Sequence, residues 1–171
     1  RGTFVCGPRL AYPIGQSTRF SEVIAESGGE PSGRLLGHRQ SVVPEGIREW
    51  LQLPEGAEAV ELEHMRAANR TPICVATAWF PAERFAGIAE AYAETGTITQ
   101  SLAKFGVKAY RRKRTLITSR SANSSERDAL RLERGASVLV IDAINVDDQD
   151  VPIQVGHSRF AAERVQLVVD S

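Results

Sequence analysis

Cysteine is scarce in this chain, with two in 171 residues. So few thiols exclude a disulfide-stapled scaffold, and Cys6 and Cys74 lack the spacing of a metal-binding motif. Both therefore read as small buried hydrophobes. Net charge is missing too, since 21 Lys plus Arg offset 21 Asp plus Glu. A neutral chain has no bulk positive field, and DNA binding by this chain alone is not expected. The longest apolar run, Ile73 to Phe80, is far short of a membrane span, and no signal-peptide pattern opens the chain. Without an export signal, the sequons at Asn69 and Asn123 carry no weight, and a soluble cytoplasmic protein is expected. There is no repeat, no phosphate-cradling glycine loop and no nucleophile-elbow serine. His38, His64 and His157 are scattered, none in a metal-ligand motif. No metal, cofactor or catalytic residue is expected.

What the chain does have is a globular composition, 42% apolar and 25% charged, and enough length to bury a core without metal or disulfides. Arg1 to Val5 reads as the end of a strand, and Cys6 to Gly15, with two prolines and two glycines, reads as a linker. Phe20, Val23 and Ile24 sit at helical spacing, and Gly28-Gly29 ends that helix. A strand follows over about 34–43, then a short helix opened by Pro44. Strands over 59–67 and 72–80 flank a turn at 68–71. Phe85, Ile88 and Tyr92 mark one helix, and Ile98, Leu102 and Phe105 a second that Thr97 and Gln100 cap. Tyr110 to Ser121 reads as a long strand, and Asn123 with Glu126 caps a further helix. A hairpin over 137–160 turns at Asp147 to Asp150, and 165–169 forms a last strand. Hairpins interrupted by short helices predict an α+β fold with a largely antiparallel sheet.

Lys108 to Arg114 carries five cations in seven residues. With one interleaved aromatic in a neutral chain, it reads as a sheet edge with solvated or paired arginines rather than a nucleic-acid surface. His64-x-Arg66 carries more information. Residues two apart on a strand share a face, so both donors can converge on one anion, and an arginine fork suits phosphate, phosphonate or carboxylate. Arg19, Phe20 and Ser21 stand at one helix start and Ser101 near another, where free backbone N–H groups favour an anion.

Four segments resemble parts of a known regulator family. Arg1-Gly2-Thr3-Phe4-Val5 looks like the last wing strand of a winged-helix DNA-binding domain of GntR type. Thr18 to Glu22 with Gly28, Gly29 and Pro31 resembles the opening of the UTRA effector domain of HutC/FarR-subgroup regulators. His64 to Ile73 with Pro81 resembles its central hairpin, and Pro152 to Phe160 with Arg164-Val165 its last strands. The opening and the ending look closest to regulators of phosphonate metabolism.

The resemblance implies a chorismate-lyase-like fold, a homodimer, a buried effector pocket and operator DNA bound through an absent N-terminal domain. The division it implies is a wing remnant with linker over residues 1–15 and an effector domain over 16–171. In sugar-phosphate-sensing members, phosphate is held at positions matching Phe20, Ser21, Arg66 and Ser101, with His64 here replacing an arginine. Sugar-contacting glutamates of those members are Ala76 and Gln154 here, and tyrosines are Ala103 and Phe160. A small phosphonate, phosphate ester or carboxylate is therefore expected rather than a phosphorylated amino sugar, with the flat carboxylate urocanate also compatible. A small pyruvate-releasing lyase on the same fold is the alternative function.

Overall fold

The computed structural model describes residues 8–170, so the expected wing strand at Arg1 to Val5 and Cys6 lie outside the described residues. The first half runs β1 (Leu10–Pro13), α1 (Phe20–Glu26), β2 (Pro31–Val42), α2 (Glu45–Leu51), β3 (Glu58–Ala68) and β4 (Thr71–Pro81). Three short helices follow: α3 (Ala82–Phe85), α4 (Ile88–Thr95) and α5 (Ile98–Lys104). The rest is β5 (Tyr110–Ser121), α6 (Ser124–Leu130), β6 (Ser137–Asp147), β7 (Pro152–Ala161) and β8 (Val165–Val168).

Six strands form one antiparallel sheet in the order β2-β3-β4-β7-β6-β5. Asn69 and Arg70 both take positive φ (48° and 67°) between paired Ala68 and Thr71, which makes a tight two-residue hairpin. Asn69 suits that conformation, and its Oδ1 accepts the Glu30 N–H at 2.8 Å, tying the hairpin tip to the start of β2. One face of the sheet packs Leu62, Ala78 and Phe80 against Phe85, Ile88, Tyr92 and Leu102 of α3, α4 and α5. Each large side chain buried there contributes about 1.5–3 kcal/mol. The other face packs Val75, Val138 and Val140 against Leu130 of α6, and Val155 against Leu51 of α2.

Two sequence expectations change. Leu10 to Pro13, inside the expected linker, is a strand paired in parallel with β8, and its Tyr12 is buried on Phe160 with ring centroids 5.1 Å apart. The single helix expected over Phe85 to Tyr92 is two, because Gly87 takes φ +88° between them. The cap on α6 forms in full: Asn123 accepts from the Glu126 N–H and Glu126 accepts from the Asn123 N–H. At α5 only Thr97 accepting from the Gln100 N–H is made.

Gly33 on β2 holds the α4–α5 connection against the sheet. A Cβ there would lie 2.2 Å from the Gly96 carbonyl oxygen and 2.5 Å from the Tyr92 hydroxyl. A backbone oxygen cannot rotate away, so Gly33→Ala is expected to destabilise the fold by about 1–3 kcal/mol. Denaturant unfolding measures this, and an unchanged midpoint would show that the connection yields freely.

Candidate functional site

Between the sheet and α1, closed on one side by the α4–α5 connection, lies a cavity of about 240 Å³. Its floor comes from alternate residues of two adjacent interior strands: Gln154, Gly156, Ser158 and Phe160 of β7, with Ile141, Ala143 and Asn145 of β6. The period of two in a strand sends these to one face and their neighbours to the other. Thr18, Arg19, Phe20 and Ser21 form one wall, and Gly96 to Thr99 with Tyr92 form another.

Among the described residues, Arg19, Arg66 and Arg112 are the charged side chains lining this cavity, and no carboxylate lines it. Arg66 donates from Nη2 to Ser158 Oγ and lies near Cys74 Sγ, both at 3.1 Å. Its guanidinium carbon stands 4.9 Å from the Phe20 ring centroid and 5.5 Å from that of Phe160. Its Nε is buried with no partner. Neither Glu61 nor Asp142 neutralises it, since Glu61 pairs with Arg39 and Asp142 with His157. Arg112 has both Nε and Nη1 buried without partners. Arg19 is the satisfied member: it donates to the Thr18 and Tyr110 carbonyls and stacks 3.7 Å over the Tyr110 ring centroid. Orphaned buried donors are costly, and guanidiniums stay charged. An anion placed here gains contacts that these donors do not find within the protein.

Of the site residues expected from sequence, Arg19, Phe20, Ser21, Arg66, Gln154 and Phe160 line this cavity. His64, Ala76, Ser101 and Ala103 do not. His64 is 2% exposed, behind the Tyr92 ring at 5.0 Å. Burial first, then the charges of Arg66 and Arg159, pull its pKa down to about 3. It stays neutral in ordinary buffer and does not join Arg66 at the cavity. Ser101 is fully buried and donates to the Thr97 carbonyl at 2.7 Å, with Thr95 Oγ1 at 2.9 Å. Ala76 belongs to the core, and Ala103 is exposed.

Sequence reasoning missed Arg112. The basic run does form an edge strand, and Arg111 and Lys113 pair outward with Asp150 as expected. Alternation then turns Arg112 inward, where it pairs in register with Asn145 and faces the cavity. The signal was present, because Tyr110 and Arg112 share one face of the strand and the paired cations share the other. Cys74 is buried, as expected. Among the described residues, no group of three or more His, Cys, Asp or Glu could hold a metal ion, and no helix is long and apolar enough to cross a membrane.

An antiparallel sheet that carries a cationic, acid-free pocket under a short helix defines a small-molecule binding domain. The chain belongs to the UTRA domain family, whose pattern it matches over residues 26–166, and its relatives are GntR-family transcriptional regulators. It is 36% identical over 172 residues to an uncharacterised HTH-type transcriptional regulator of Rhizobium meliloti (strain 1021), spanning 100% of this chain and 70% of that one. The effector domain of PhnF from Mycobacterium smegmatis superposes with a TM-score of 0.81 at 17% identity, covering 94% of this chain and 98% of that one. A GntR-family regulator from Enterococcus faecalis V583 superposes with a TM-score of 0.69 at 18% identity, covering 82% and 100%. The chain is a regulator domain and not an enzyme, which removes the lyase alternative.

Proposed function

We propose that this chain is the effector-sensing and dimerisation domain of a cytoplasmic bacterial regulator. It binds a small anionic metabolite, a phosphonate, phosphate ester or carboxylate, and so controls operator binding by an N-terminal winged-helix domain. One observation carries the ligand class: three arginines line the cavity, two with unpaired buried donors, and no carboxylate neutralises them. The lack of lining acids also disfavours an amino sugar, whose ammonium group would find no carboxylate there. In this reading the division between a linker ending near residue 15 and the effector domain is retained, with β1 of the linker docked onto the domain. A two-fold axis through paired effector domains would present two reading heads to a palindromic operator.

Thermal unfolding of this chain in inorganic phosphate, methylphosphonate and acetate tests the ligand class. A ligand that binds the folded state alone raises the midpoint as its concentration passes its dissociation constant. The midpoint should rise with at least one of these anions and not with equimolar neutral glycerol. No rise with any of them overturns the proposal.

A further inference from the structure

The three arginines form two separate poles, not one cluster. Arg66 pairs across the sheet with Cys74, which pairs with Phe160 on β7. Arg112 pairs with Asn145, which pairs with Gln154 on the same strand. Phe160 and Gln154 lie six residues apart, and β3 and β5 four strand spacings apart. The Arg66 guanidinium, however, reaches over to Ser158 on β7, four residues or about 13 Å along the strand from Gln154. Both side chains nevertheless reach the same cavity, from opposite corners of its floor. Arg19 belongs to the Arg112 pole, since it stacks on Tyr110, two residues before Arg112 on the same strand face. Between Ser158 at the Arg66 end and Asn145 at the Arg112 end the floor is uncharged, with Ala143 opposite Gly156.

We infer that the effector carries an anionic group at each end of a short uncharged bridge. The inference rests on the proposed anion-sensing role and narrows it to two-ended anions. A phosphonate or phosphate suits the end with two guanidiniums, Arg19 and Arg112. Asn145 Oδ1, buried there and unpartnered, accepts from the hydroxyl that a singly protonated phosphonate retains. A carboxylate suits the Arg66 end, where one planar fork and the Ser158 hydroxyl meet it between the Phe20 and Phe160 rings. An ammonium at either end meets arginine and no acid, so zwitterionic aminophosphonates are selected against.

Calorimetric titration of this chain with phosphonocarboxylates of increasing methylene count tests the inference, with alkylphosphonates and aminoalkylphosphonates of the same lengths as controls. At the best length the phosphonocarboxylate should bind at least about tenfold tighter than its alkylphosphonate, from one added charge-assisted contact. The aminoalkylphosphonate should bind more weakly than either. Arg66→Gln should abolish the advantage of the second anionic end, whereas Arg112→Gln should weaken the phosphonocarboxylate and the alkylphosphonate alike. Equal affinity of phosphonocarboxylates and alkylphosphonates at every length overturns the two-ended effector and leaves the anion-sensing role standing. An advantage that survives Arg66→Gln overturns the assignment of the poles. Absence of binding by every member, and by inorganic phosphate, removes the anion-sensing role itself.

Discussion

Replacing Arg66 by methionine should weaken binding of an anionic effector by about 30- to 1,000-fold, which corresponds to about 2–4 kcal/mol of a charge-assisted contact. The same change should leave the folded chain at least as stable as before. The argument turns on what surrounds the guanidinium. Its polar neighbours are a hydroxyl and a thiol, its other neighbours are two aromatic rings, and its Nε has no partner. A half-buried cation without a carboxylate is held at a cost, and an unbranched apolar chain of similar length fills the slot between Phe20 and Phe160 without it. Affinity and stability therefore move in opposite directions, which a merely structural arginine does not do. Calorimetric titration paired with urea unfolding reads both. Reduced stability with unchanged affinity would return Arg66 to a packing role.

His64 governs a second large effect, on stability against acid. Its folded-state pKa is lowered to about 3, from an ordinary value of 6.5. Between those values the unfolded chain binds a proton at this position and the folded chain does not. Protons therefore favour unfolding, and stability falls as pH falls from about 6.5 toward 3, with a limiting slope of about 1.4 kcal/mol per pH unit. Above about 6.5 the ring is neutral in both states and contributes no slope. His64→Gln, which cannot protonate, should flatten this limb relative to the parent chain. Glu126, whose carboxyl is lowered mainly by the hydrogen bonds from Arg120, adds an acid-sensitive contribution only near the carboxylate range, and it is common to both proteins. Unfolding free energies of the two proteins measured from pH 7 to 5 isolate the histidine. Parallel curves would mean that the imidazole takes up its proton in the folded state.

Elements whose signals are local were readable from the sequence. The strand Tyr110–Ser121 has the expected bounds because alternating polar side chains and a following capping box delimit it without help from the rest of the chain. β1 was hidden because four residues flanked by glycine and proline acquire strand geometry only from β8, some 155 positions further on. The break at Gly87 was hidden because Phe85, Ile88 and Tyr92 keep helical spacing across it. At the site, the shared face of His64 and Arg66 was legible but their depth was not. One row along the strand separates a ring sealed behind Tyr92 from a guanidinium at the cavity wall. Arg112 stayed unread for the opposite reason: composition drew attention to the run as a whole, while its chemistry lay in the direction of a single side chain.

The pairing of β1 with β8 gives the pocket a mechanical attachment. Tyr12 lines the cavity and rests on both Phe20 and Phe160, the two rings that flank Arg66. The strand that carries it is held by a register of four residues, closed by the Leu10 N–H on the Arg164 carbonyl and the Ile14 N–H on that of Val168. Tension on the polypeptide ahead of Leu10 therefore falls on a pocket wall before it reaches the six-stranded sheet. A molecule held between those rings therefore touches the same aromatic cluster that seats Tyr12, and with it the strand whose chain leads out through Leu10.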